Sequence, residues 1–182
     1  MRTRQLAGFP ICLLAVALVG VGCGGGPDAP ASAPAQTPAS PDADTAEAER
    51  AALAAYAGYL AASRKAELAG DPHDPELRKY LADPLLTRVR LAIRDMEEHG
   101  AVRTGKIISD PTITAVDLAA VPPTVSIQDC IDTTKYRLIY RKDRSVVPGS
   151  AGGRYLATAT ATRYPDGRWL ISASGVHKDQ PC

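Results

Sequence analysis

The sequence has no basic block. Its 21 lysines and arginines are interspersed with 20 acidic residues, so it lacks the clustered positive face that nucleic-acid binding needs. No serine sits in the Gly-x-Ser-x-Gly turn of a hydrolase elbow. The segment PGSAGGR lacks the Lys-Ser/Thr pair of a phosphate loop and reads as a hairpin connection. In GDPHDPE, Asp71, His73, Asp74 and Glu76 are gathered together. They lack the alternating oxygen ligands and closing Glu of a calcium loop, and two prolines stiffen the segment into a capped turn between helices. His73, His99 and His177 are far apart. No two of the four cysteines are close-spaced, as a zinc site would require. There is no internal repeat, and nothing calls for a metal or a cofactor.

The amino-terminal run LAGFPICLLAVALVGVG follows Arg2 and Arg4, with no acidic residue before Asp28. It is shorter than the about 20 apolar residues that span a bilayer, and Pro10 interrupts it. A positive start, an apolar middle and small residues at the end make a signal peptide, assigned to residues 1–22, with Cys12 inside it. Losing Arg2 and Arg4 leaves the rest of the chain near −1. Cys23 follows LVGVG in a pattern that resembles a bacterial lipobox, with Gly22 before the cysteine and Gly20 where leucine is usual. That resemblance implies a lipid on Cys23 and attachment to the extracytoplasmic face of the cell membrane. The alternative is ordinary cleavage and secretion. Residues 24–45 carry no large apolar side chain, so 23–45 reads as a tether too poor in apolar surface to fold.

Two cysteines remain, Cys130 and Cys182. Outside the cytoplasm a disulfide persists, and pairing them closes a loop that stabilises by about 4 kcal/mol on the chain-entropy model. The terminal cysteine is expected to staple the tail, HKDQPC, to the body. The strand before that tail should end near residue 176 and lie close to the one carrying Cys130.

Residues 46–182 suit one domain. Asp44 and Glu47 have capping-box spacing, and the alanine-rich helix after them shows Leu53, Tyr56 and Leu60 on one face, ending at Gly70. Asp74 and Asp83, each before a proline, are expected to cap two further helices. The second of these carries a stripe of Leu85, Val89, Ala92, Ile93 and Met96. After Gly100 the period becomes two. AVRTGKIIS, TITAVDL, TVSIQDCID, KYRLIYR, RYLATATATRY and RWLISASGV alternate and are separated by turn residues, which reads as six strands. Helices first and strands afterwards predict an α+β fold with an antiparallel sheet over the helices.

This layout over 46–182, with TVSIQDCID, DGRWLIS and the terminal Cys182, resembles small secreted actinobacterial lipoproteins of the nuclear transport factor 2-like (cystatin-like, SnoaL-like) superfamily. The resemblance implies a cone: helices in the concave face of a curved sheet, often with a pocket between. Some members of that superfamily are isomerases or dehydratases, and many have no known activity.

Candidate site residues are few. Val125, Ile127, Asp129 and Ile131 share one strand face, so Asp129 interrupts an apolar surface. It is either a general base at the mouth of the cone or, the preferred reading, a carboxylate satisfied by arginine or backbone donors or a bulge beside the disulfide. Tyr136 and Tyr140 alternate with Leu138 and are candidates to present hydroxyls to the same cavity. Trp169 alternates with Ile171 and reads as core, and His99 as a helix-end residue. The leading expectation is a lipid-anchored binding or interaction module for an unknown small molecule, wall component or protein. The alternatives are an isomerase- or dehydratase-type enzyme using Asp129 with a tyrosine, and a homodimeric scaffold.

Overall fold

In a computed structural model, residues 41–182 are described. The signal segment 1–22, Cys12, Cys23 and the tether up to residue 40 lie outside the described residues. Three helices come first, α1 (Pro41–Ala69), α2 (Leu77–Tyr80) and α3 (Leu85–Glu98). Six strands follow: β1 (Ala101–Gly105), β2 (Pro111–Asp117), β3 (Thr124–Asp132), β4 (Tyr136–Tyr140), β5 (Arg154–Arg163) and β6 (Trp169–Pro181). The α+β class, helices against a curved antiparallel sheet, is as expected. Among the described residues no helix is long and apolar enough to cross a membrane.

Helix α1 starts earlier than the sequence suggests. Residues 41–45, assigned above to the tether, are helical, and Asp44 is not a cap. With Asp42 it sits in the first turn, where the positive end of the helix favours carboxylates. At the other end Gly70 takes φ +69°, and the Asp71 N–H donates to the Ala66 carbonyl at 3.0 Å, a Schellman closure. Arg141 Nη2 donates to the last carbonyl, Ala69, at 2.8 Å.

The buried face of α1 is not the expected Leu53–Tyr56–Leu60 line. It is Ala48, Ala52, Ala55, Tyr56, Ala62 and Ala66, with Leu60 only partly packed and Leu53 outside the core. Alanines let the helix backbone come close to the sheet, where Val125, Ile127, Ala159, Ala161 and Ile171 complete the core. Gly58 serves the same purpose toward α2, since a Cβ there would run into the Tyr80 ring. In α3 the stripe holds at Leu85 and Ile93, backed by Val89 and Met96, but Ala92 is exposed and Leu86, outside the stripe, is buried.

Neither Asp74 nor Asp83 is the N-cap residue, since Glu76 and Pro84 hold those positions, but each carboxylate closes the turn that leads into its helix. Asp74 Oδ1 accepts the Glu76 N–H at 2.9 Å, and its other oxygen pairs with Lys65 at 3.0 Å. Asp83 Oδ1 accepts both the Thr87 N–H (3.2 Å) and its hydroxyl (2.6 Å).

The strands form a four-stranded ladder, β2-β3-β5-β6, and a two-stranded one, β1-β4. Their registers nevertheless run on from one to the other. Gly105 faces Tyr136, Ile108 bridges Asp132, and Pro111 faces Asp129. Residues 101–140 are therefore one long hairpin, bent at 106–110 on one arm and at 133–135 on the other. An Asx turn makes the second bend, with Asp132 Oδ1 accepting from the Thr134 N–H (2.8 Å) and hydroxyl (2.7 Å). PGSAGGR is not a hairpin connection, because β4 pairs with β1 and β5 with β3. It carries the chain from one half of the bent sheet to the other.

Strand β6 continues past residue 176 to Pro181. Its register slips between Leu156, which faces His177, and Tyr155, which faces Pro181. The tail therefore keeps to the sheet edge and does not dangle. Cys182 bonds to Cys130, with Cα atoms 5.9 Å apart, inside the roughly 7 Å limit for such bridges. The two strands are not neighbours: β5 lies between them, and the disulfide crosses it. Cys182→Ser should lower stability by about 2–5 kcal/mol under oxidising conditions. Urea melts should show that gap close in reductant, and a gap that persists there would mean the serine itself disturbs the edge.

Candidate functional site

Alternation along β3 buries Val125, Ile127, Asp129 and Ile131 together, so Asp129 sits on the apolar face as the sequence suggests. Its carboxylate is fully engaged. Oδ2 accepts the Tyr56 hydroxyl at 3.0 Å and the Ser109 hydroxyl at 2.6 Å, and Oδ1 accepts the Asp110 N–H at 2.8 Å. No arginine takes part. The three donors come from α1 and from the bend at 106–110, so one buried carboxylate fastens three segments. Burial, with the Asp129 carboxylate beside it, pushes the Tyr56 hydroxyl far above the ordinary tyrosine range, which keeps it a donor.

Asp129 meets neither tyrosine proposed to work with it. Tyr140 is exposed at the end of β4, and Tyr136 is buried but donates its hydroxyl to Glu67. Trp169 packs partly against the core. It borders a separate recess with Asp44, Glu47 and Arg163. His73 and His99 are exposed, with the His99 ring on the Asp95 carbonyl at 2.7 Å. His177 faces the Thr158 hydroxyl at 3.0 Å. Among the described residues no three metal-ligating side chains converge.

In the crook of the bent hairpin, a cavity of about 520 Å³ lies between α1, the β1-β4 half, the 147–152 segment and β6. Its size is ordinary for a small-molecule site. Helix α1 presents Tyr59, Ser63 and Glu67 to it, spaced four apart and so stacked on one face. Ile131, Tyr136 and Leu138 line the opposite side. Burial raises the Glu67 carboxyl above the ordinary glutamate range, while the Tyr136 hydroxyl and Arg103 pull it back in part. Tyr136 is pushed far up by its own burial and by Glu67. Arg103 Nε stands 3.8 Å from Glu67 Oε2, and its guanidinium lies over the Tyr136 ring, 5.7 Å from the centroid. A mostly buried carboxyl, a phenol and a guanidinium thus meet at a solvent-reachable wall, a set able to orient a polar ligand group or exchange a proton with it.

Sequence reasoning passed over Glu67, Ser63 and Arg103. The signal was the four-residue spacing of Tyr59, Ser63 and Glu67 inside an alanine-rich helix, a polar stripe where none is needed for solubility. Tyr56 and Ser109, the partners of Asp129, had no such signal.

Comparison with protein-family models and with curated proteins gives no match. Among solved structures, the chain is similar to the intermembrane space region of the chloroplast protein ARC6. That likeness has 14% identity and a TM-score of 0.53, covering 70% of this chain and 95% of that one. A ketosteroid isomerase-like protein from Erwinia carotovora atroseptica is also similar, at 13% identity and a TM-score of 0.45, covering 70% of this chain and 93% of that one. The likeness to the chloroplast protein is one of fold.

Asp129→Ala leaves three donors without their acceptor, and should cost about 3 kcal/mol or more. Asp129→Asn keeps the shape and one accepting oxygen, and should cost about 1 kcal/mol. Chemical denaturation measures both. An Ala variant within about 0.5 kcal/mol of wild type, as at an ordinary surface site, would show that the carboxylate fastens nothing.

Proposed function

We propose that the chain is a small-molecule-binding module of the nuclear transport factor 2-like kind. In this reading its site is the cavity in the crook of the hairpin, and it is held by a lipid on Cys23 at the extracytoplasmic face of a bacterial membrane. The cavity itself carries the proposal: apolar walls with a few convergent polar groups are what ligand sites are made of. The helices-first order and bent sheet support the superfamily reading. The Cys130–Cys182 disulfide supports an oxidising compartment.

A second reading is favoured by one observation. Glu67, not Asp129, is the carboxyl that is both desolvated and open to the cavity. An isomerase- or dehydratase-type enzyme on this scaffold would use Glu67 with Tyr136 as its acid–base pair, its carboxyl tuned upward by burial.

The neutral dye Nile red should bind the purified protein with a blue-shifted emission. Ser63→Trp, which fills the cavity from the helix side, should abolish that shift while circular dichroism stays native. Equal emission from the folded variant, or none from wild type, would remove the cavity as a binding site. The compartment is tested separately: Cys23→Ala should move the protein from the membrane fraction into the medium. Membrane partitioning that survives this change would point to an uncleaved anchor.

A further inference from the structure

The walls of the same cavity also carry information about its occupant. Most of the lining is apolar, with Leu60, Ile107, Ile131, Leu138 and Val147 among it, which suits an apolar body. Two polar features stand apart from that lining. Ser63 is about nine-tenths buried, and its Oγ has no hydrogen-bond partner among the described residues. The hydroxyl is closed to solvent as it stands, so a ligand in the cavity meets it only after the side chain turns.

The second feature is a surplus of positive charge. Arg64, Arg103 and Lys178 border the cavity against one carboxylate, Glu67. Glu67 is already engaged by Tyr136 and Arg103. Arg64 has no hydrogen bond or ion pair among the described residues. It also borders two smaller recesses, of about 300 and 270 Å³, that share walls with the main cavity. A guanidinium is a planar fork that matches a carboxylate with two parallel bonds.

We infer that the occupant is an apolar monocarboxylate, its acid group held by Arg64 at the positively charged wall and its apolar body in the crook of the hairpin. A single charge suits the site, because Glu67 shares that wall and would repel a more highly charged head. This inference rests on the cavity being a binding site, and it narrows what that site takes.

Isothermal titration of the full purified chain at neutral pH, with decanoate, decanol and decylamine below their micellar concentrations, tests it. Decanoate should bind about tenfold tighter than decanol, and decylamine weakest of the three. Arg64→Ala, at an exposed position with no hydrogen bond or ion pair to lose, should bring decanoate down to the decanol level and leave decanol unchanged. Glu67→Gln, which removes the one negative charge, should tighten decanoate by a few fold. Equal binding of decanoate and decanol, with Arg64→Ala neutral and Ser63→Trp abolishing both, overturns the acid and keeps the cavity. No binding by any of the three overturns the acid, and Nile red then decides the cavity alone. Decanoate binding that Ser63→Trp leaves untouched overturns both.

Discussion

The hydrogen bonds to Asp129 are the constraint on which the rest of the molecule depends. A carboxylate buried among valine and isoleucine is tolerated only when its oxygens are satisfied. Here that requirement is met by donors from segments far apart in the chain: Tyr56 on α1, and Ser109 with the Asp110 amide in the bend before β2. Each donor limits where its segment can lie. Helix α1 cannot slide along the sheet without losing the Tyr56 bond. The hairpin cannot straighten without pulling Ser109 and Asp110 away. The cost of burying the charge is therefore converted into a fixed geometry between helix and sheet.

That geometry is what leaves room for a cavity. Strand β1 stays packed against α1, and β4 lies beyond it, paired to β1. Near Glu67 the space between α1 and β4 is bridged by Tyr136, which donates to the Glu67 carboxylate. The molecule thus holds two tyrosine–carboxyl pairs between the same helix and the same hairpin, differing in access. Tyr56–Asp129 is sealed in the core and fixes the bend. Tyr136–Glu67 faces the space that the bend creates, where a ligand can compete for its hydrogen bonds. Identical chemistry serves structure in one place and is free to serve function in the other, and only solvent access separates them.

The elements themselves were legible from local pattern. Period-two alternation located all six strands, and the Asp-Pro pairs located two helix starts, because strands, caps and turns are governed by neighbours in sequence. Asp129 was visible too, as a polar residue on an apolar strand face. What answers it was not, since Tyr56 lies 73 residues away and nothing local marks a tyrosine as the donor to a particular carboxylate. The pairing of Asp129 with Tyr136 failed for the same reason: two successive strands were expected to face one cavity, and the bend between them was invisible. The end of β6 was misjudged on composition. HKDQP does not alternate, and it stays on the edge through its register with β5 and its covalent tie to Cys130.

The segment from Val147 to Gly153 shows how the outer wall of the cavity is kept in place without regular structure. It crosses from β4 to β5, and its start is held on β4, where the Val147 N–H donates to the Leu138 carbonyl at 3.0 Å. At its far end, the Thr133 N–H and hydroxyl both donate to the Gly153 carbonyl, at 2.9 and 3.0 Å. The Gly153 N–H donates to the Thr133 hydroxyl at 3.1 Å, so the wall is pinned to the second bend of the hairpin. Gly152 is needed for this approach, because a Cβ there would strike the Thr133 carbonyl. The wall and the crook are therefore one mechanical unit. The Asx turn at Asp132 sets the position of Thr133, Thr133 sets the position of the wall, and Tyr136 leaves the same turn toward Glu67. A ligand in the cavity would touch side chains from helix, strand and loop whose relative positions all trace back to the short stretch between Asp129 and Tyr136.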